Sequence, residues 1–291
     1  MPLEVASQVS SSGIHYISCG PQDTGPTLLC VHGWACRSAD FLYVFDEFIK
    51  HDSDFRAIAL DLPGHGSSST EHYPTAGVDS FARAVLDLMD ELSLEKIVLA
   101  GHSMGVRIVL ETWQQAMSAE RPQVQGLCFL DGSHYKFRKS LFAFDSGDAR
   151  SASLTDEEKH EKMAEAFDRM LSSATPKDFR EAAIDHVKAI DLQYSEDMRK
   201  SFIQYDYDRT DDVMENLGKA DMPILSIQAT DVDEENQRRM LQEGKDSRWM
   251  QFVCTKVPQA KMAVVPQSGH FPHVDRPQIV AAHLKDLMRS P

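Results

Sequence analysis

Residues 97–105 read IVLAGHSMG. An apolar run from Ile97 to Ala100 passes straight into Gly101-His102-Ser103-Met104-Gly105, and residues 106–117 continue as VRIVLETWQQAM, with the spacing of a helix. A strand buried on both faces reads as an unbroken apolar run. One that hands over to a helix through Gly-x-Ser-x-Gly requires a turn so tight that bulkier neighbours would strike the adjacent backbone. The glycines therefore have a steric task, and Ser103 is displayed at the end of the strand rather than tolerated there.

Further runs of the same kind lie on either side: TLLCVHG (27–33), AIALDLPGHG (57–66), GLCFLDGS (126–133), PILSIQAT (223–230) and KMAVVPQSGH (261–270). Apolar runs separated by helical text predict an α/β fold built on a mostly parallel central sheet with flanking helices. Residues 3–18 alternate more and predict an antiparallel N-terminal hairpin. The stretch 79–93 places Phe81, Val85, Leu86, Leu88 and Met89 on one helical face, with Asp79 or Ser80 as N-cap, and a last helix over 277–289 starts at Pro277. From 134 to 218 the alternation stops and only helical text remains. There Asp156 and Glu157 lie near a helix start that Ser153 or Thr155 can cap, and aromatics such as Phe142, Phe144, Phe167, Phe179 and Phe202 are frequent. The expected organisation is a core of residues 1–133 and 219–291 with a helical cap, 134–218, inserted after the sixth strand. An insertion at that edge of a parallel sheet sits over the ligand crevice, so some of its aromatics are expected to line a pocket.

The 291 residues carry 45 acidic against 30 basic side chains, a formal charge of −15, which would repel a nucleic-acid backbone or an anionic membrane. A small apolar or aromatic molecule is the expected partner, and oligomeric state is not readable. The N-terminal MPLEVASQVSSSG has no basic stretch leading into an apolar one, and no run of about 18 apolar residues occurs. A soluble, cytoplasmic protein is the expectation. Five scattered cysteines form no CxxC pair and no Cys/His cluster, so neither a metal nor another cofactor is expected, and Cys30 and Cys128 read as core fillers in a reducing compartment.

A serine hydroxyl needs a base to become a nucleophile. Gly269-His270-Phe271-Pro272 after the last strand forms a loop that can present His270 at the same sheet edge, whereas His273 reads as a cap or a solvent-facing residue. Two acids can complete the set: Asp131, ending GLCFLD, and Asp231, in the acidic loop TDVDEEN. Apolar flanks favour Asp131 as the drier of the two. Backbone amides of Met104, at the start of the helix after the turn, and of Trp34, after His32-Gly33, can hold an oxyanion. The Trp34 ring and His102 are expected to contact substrate.

In this order and spacing, HGW, LDLPGHGSS, GHSMG, LDGS and SGHFPHVDRP resemble the α/β-hydrolase superfamily across the chain outside the insertion. The segment SIQATDVDEENQRRM followed by VVPQSGHFPHVDRP is similar to a branch in which the acid follows strand six, and this resemblance implies Asp131 rather than Asp231. The same features resemble the cofactor-free 2,4-dioxygenases that open 3-hydroxy-4-oxoquinolines with a His/Asp dyad. Ser103-Met104-Gly105 and His32-Gly33 depart from that group toward the hydrolases. The resemblance implies a serine hydrolase cleaving an ester, lactone or related acyl bond, with Ser103, His270 and Asp131 as its triad; the alternative it implies is the cofactor-independent dioxygenase.

Overall fold

Each of the uninterrupted apolar runs becomes a strand. In the computed structural model, which describes residues 4–21, 25–51, 55–120, 123–137, 154–235 and 237–290, the alternating N-terminal region gives β1 (Ala6–Val9) and β2 (His15–Cys19), and the apolar runs give β3 (Thr27–Val31), β4 (Arg56–Leu60), β5 (Ile97–His102), β6 (Val124–Leu130) and β7 (Ile224–Gln228). The short β8 (Thr230–Val232) and β9 (Arg238–Met240) follow, and then β10 (Lys261–Val264). An eight-stranded sheet runs in the order β1-β2-β4-β3-β5-β6-β7-β10. The pairings of β1 with β2 and of β2 with β4 are antiparallel, and the rest are parallel. The N-terminal hairpin and the mostly parallel sheet are both as expected; β8 and β9 form a separate antiparallel pair that the sequence reading passed over.

Both faces of the central strands β3, β4 and β5 are dry, which is why they read as near-continuous apolar runs. Leu29, Val31, Leu99 and Phe129 point to one face, against Phe81 and Val85 of α2 (with α1, Leu42–His51, preceding it, α2 spans Val78–Glu91) and Val106, Val109 and Trp113 of α3 (Gly105–Ser118). Leu28, Cys30, Ala100 and Cys128 point to the other, packed with Phe45 and Phe48 of α1 and with a C-terminal helix. Cys30 and Cys128 are fully buried, as their apolar surroundings predict.

Between β6 and β7 the chain forms α4 (Asp156–Asp168), α5 (Lys177–Ala189), α6 (Leu192–Asp208) and α7 (Thr210–Leu217). Thr155 caps α4, accepting from the Glu158 amide, while the Glu158 carboxylate accepts from the Thr155 amide. Ser153, Phe142 and Phe144 lie outside the described residues. After β9 come α8 (Arg248–Lys256), α9 (Pro272–Asp275) and α10 (Pro277–Met288), the last beginning at Pro277 as expected.

The expected cap of α2 is corrected. Neither Asp79 nor Ser80 caps it: the N-cap is Gly77, which offers no side chain, and the Val78 amide donates instead to Ser201 Oγ of α6 at 3.2 Å. A second tie joins α6 to the helix behind Ser103. Arg107 of α3 donates to both carboxylate oxygens of Asp206 at 2.9 and 2.5 Å, and Asp206 also accepts from the Tyr135 amide and Thr210 Oγ1. Among the described residues no helix is long and apolar enough to cross a membrane.

Candidate active site

The turn between β5 and α3 shows why both glycines are needed. A Cβ on Gly101 would lie 2.4 Å from the Gly105 carbonyl oxygen, and one on Gly105 would lie 2.4 Å from that of Val31. Ser103 itself adopts φ +53°, a left-handed conformation that costs a non-glycine residue of order 1 kcal/mol. Its amide is tied to the Leu130 carbonyl at the end of β6 (2.9 Å), so the strain is held by the neighbouring strand.

Three sequence-predicted residues meet here. His270 Nε2 is 2.7 Å from Ser103 Oγ, and His270 Nδ1 is 2.6 Å from Asp131 Oδ2. A carboxylate accepts, so Nδ1 carries the proton, and Nε2 is left to accept from the serine hydroxyl. The His270 loop is fastened from two sides. Its amide donates to the Met170 carbonyl beyond α4. Asp275, five residues on, accepts from the Gly269 amide, Ser172 Oγ and Thr175 Oγ1.

Asp131 is fully buried, with φ +46°. Its Oδ1 accepts from the amides of Ala229 and Thr230 at 2.7 and 2.8 Å, and its Oδ2 accepts from Thr230 Oγ1 at 2.5 Å and from Arg238 Nη1 at 3.0 Å. Burial pushes its carboxyl upward, and the Arg238 guanidinium and the donated hydrogen bonds oppose that rise. The chain just after β7 thus supplies donors to an acid on β6. Asp231 does not reach His270: its Oδ1 accepts from the Arg248 amide (3.1 Å) at the start of α8.

The amides of Trp34 and Met104 meet no acceptor among the described residues. They flank Ser103 from the β3 turn and from the start of α3. Gly33 allows the approach, since a Cβ there would lie 3.2 Å from Ser103 Cβ, and Ala35 at φ +55° completes the turn. His32 braces it: Nδ1 donates to the Gly33 carbonyl (2.7 Å) and Nε2 accepts from the Leu62 amide (3.0 Å), while burial lowers its pKa and keeps it neutral.

A cavity of about 1190 Å³ opens over Ser103. Trp34, Phe167, Phe202 and Phe271 wall its inner part, and Trp34 Nε1 donates to Ser195 Oγ of α6 (2.8 Å). Of the aromatics expected in the pocket, Phe167 and Phe202 are there. Two expectations are revised. His102 borders the cavity, but it is only 1 % exposed and its Nε2 bonds the His270 carbonyl at 2.7 Å, so its ring positions the His270 loop rather than lying open to substrate. His273 does not face solvent; it is buried between Phe41 and His102, because the short α9 turns it inward. Burial lowers the pKa of both rings well below the usual histidine range.

Arg238, Thr230 and Asp275 are the site-shaping residues that sequence reasoning missed. Arg238 lies in a short polar strand with no apolar period to mark it. Asp275, by contrast, sits in HVDRP beside the histidine loop, where a buried acid could have been suspected.

The family model described as "Alpha/beta hydrolase family" matches residues 28–283 of the chain. Over 132 residues (44% of this chain) the sequence is 30% identical to protein phosphatase methylesterase 1 of Bos taurus, and over 102 residues (34%) it is 30% identical to epoxide hydrolase 4 of Mus musculus. These alignments span 33% and 27% of the relatives' own lengths. Among solved structures, a bromoperoxidase from Bacillus anthracis superposes with a TM-score of 0.74 at 18% identity, over 99% of this chain and 100% of that one.

Proposed function

Because the chain belongs to the α/β hydrolase family, we propose that it is a serine hydrolase cleaving an ester, lactone or related acyl bond of a small, fairly apolar substrate. The observation that carries this reading is the continuous hydrogen-bonded line from Ser103 Oγ through His270 to buried Asp131, with 2.7 and 2.6 Å links. His270 Nε2 takes the Ser103 proton as Oγ attacks the acyl carbon, and the Trp34 and Met104 amides hold the oxyanion. The same imidazolium protonates the leaving alcohol. Water then enters, gives a proton to His270 and attacks the acyl-serine, and the proton returns to Ser103 as the acid departs. Asp131 fixes the tautomer and stabilises the imidazolium throughout. The aromatic walls favour an apolar acyl group, and residues 134–218 act as a cap that carries part of that wall.

The cofactor-independent dioxygenase uses the same His270/Asp131 dyad, with Ser103 reduced to a hydrogen-bonding role. The complete Gly-x-Ser-x-Gly turn and the direct Ser103–His270 link support the hydrolase instead. A panel of p-nitrophenyl esters of increasing acyl length, together with simple lactones, tests the choice. Wild type should turn over at least one class, and Ser103→Ala should lose at least about 10³-fold in kcat. Near-normal ester turnover by Ser103→Ala, or oxygen uptake with carbon monoxide release from a hydroxy-oxoquinoline, would overturn the hydrolase reading.

A further inference from the structure

The acid of the candidate triad shares its reactive oxygen with a cation. Asp131 Oδ2 accepts from His270 Nδ1 (2.6 Å) and from Arg238 Nη1 (3.0 Å), and the same Nη1 donates to Thr230 Oγ1 (2.6 Å), whose hydroxyl in turn donates to Oδ2 (2.5 Å). Arg238 comes from β9, where it pairs with Val232 of β8, so the small hairpin after β7 delivers it. It is largely buried, with 14% of its side chain exposed, and it borders the cavity over Ser103. A cation held in a dry site against the carboxylate that faces the histidine acts on that histidine too.

We infer that Arg238 is a positioning residue of the reaction. It pins Asp131 Oδ2 toward His270 and offsets part of the negative charge with which Asp131 would stabilise the imidazolium, so that His270 remains a free base to lower pH. The inference rests on the triad reading above.

The other charged or titratable groups facing this pair do not do the same work. Asp231 of β8 is a second carboxylate acting on Arg238, and it partly shields the guanidinium without replacing it. His102 of β5 and His273 of α9 pack beside His270 and beside each other, and both are held neutral by burial. Among the described residues Arg238 is therefore the permanent cation in contact with the acid. Its geometry also has the signature of an orienting device: the Arg238–Thr230–Asp131 triangle leaves Oδ2 little freedom except to point at Nδ1.

Two readouts test this without knowledge of the natural substrate. One is the pH dependence of inactivation by a fluorophosphonate between about pH 5 and 9. The other is the titration of His270 followed by NMR on protein labelled at its histidines. In Arg238→Met, the His270 midpoint and the acid limb of the inactivation profile should both rise by about one pH unit, and the plateau rate should fall because the acid is no longer pinned. Arg238→Lys, which keeps the charge, should leave the midpoint near wild type while still lowering the plateau. Arg238→Gln, which keeps donors without the charge, should show the same rise and carries the test if the Met variant does not fold. An unchanged His270 midpoint in a folded neutral variant would overturn the inference, as would a loss confined to inhibitor affinity. If wild type forms no adduct at any pH, the nucleophile reading fails, and the NMR titration still decides the role of Arg238.

Discussion

Ser103 and Asp131 both hold left-handed backbone, at φ +53° and +46°, and both face His270. Two non-glycine residues in that region within one hydrogen-bonded line are affordable only because their amides are tied to neighbouring strands, Ser103 to Leu130 and Asp131 to Ile227. The choice between the two acids belongs to this scale. Asp131 is dry and accepts five hydrogen bonds including that from His270, while Asp231 accepts from the Arg248 amide. Asp131→Asn should therefore lower kcat by about 10³–10⁴-fold, because the amide no longer fixes the productive tautomer. Asp231→Asn should leave kcat within a few-fold of wild type. Steady-state kinetics on any ester the enzyme accepts checks this, and a larger loss for Asp231→Asn would show that the wrong carboxylate had been assigned.

The helices between β6 and β7 are tied to α2 and α3 by polar contacts as well as by apolar packing, and the strengths of those ties should differ. Ser201→Ala removes the hydroxyl that caps α2 from α6 and should cost about 1 kcal/mol, as other helix caps do. Asp206→Ala leaves Arg107 buried without its carboxylate behind the Ser103 turn and should cost about 3–5 kcal/mol. Urea midpoints at constant m-value would rank the two, and a smaller effect for Asp206→Ala would contradict the assignment of Arg107–Asp206 as the main tie. These ties also mark where sequence reading stops. The strands were legible because runs such as LLCV and IVLA are apolar at every position, which only burial on both faces explains, and the start of α4 was legible from Thr155 followed by the acidic Asp156 and Glu157. The cap of α2 was not, because the serine that supplies it is 123 residues away from Val78. Nor was β8–β9, whose TDV and RRM are too short and too polar to show a period. Ser103 and His270 could be picked out from local turns, and Asp131 rather than Asp231 from its apolar flanks and the family resemblance, but what Arg238 and the inward-turned His273 do depends on neighbours that only the fold assembles.

Across the whole molecule, buried neutral histidines set the response to acid. Burial pushes His65 down to about 3 and His134 down to about 4, and it lowers His32, His102 and His273 as well. Below the unfolded value of about 6.5 the unfolded chain takes up protons that the folded chain refuses. For His65 and His134 that stability is complete above about pH 6.5 and is lost as pH falls toward 4, at about 1.4 kcal/mol per pH unit for each; the other three act in the same direction. Asp40, pushed up by burial to about 6, works in the opposite sense and offsets roughly one of them. The urea midpoint should fall between pH 7.5 and pH 5, and His65→Gln with His134→Gln should flatten that fall. A midpoint that is constant or rises on acidification would contradict this picture of the interior.

On the reading proposed above, the sheet, its turns and the helices between β6 and β7 together make Ser103 a nucleophile. Intact-mass analysis after exposure to a fluorophosphonate tests it most directly. A single covalent adduct is expected on the native wild-type protein, mapped by digestion to Ser103, and none on Ser103→Ala. An unmodified wild-type protein, or an adduct undiminished in Ser103→Ala, would contradict it.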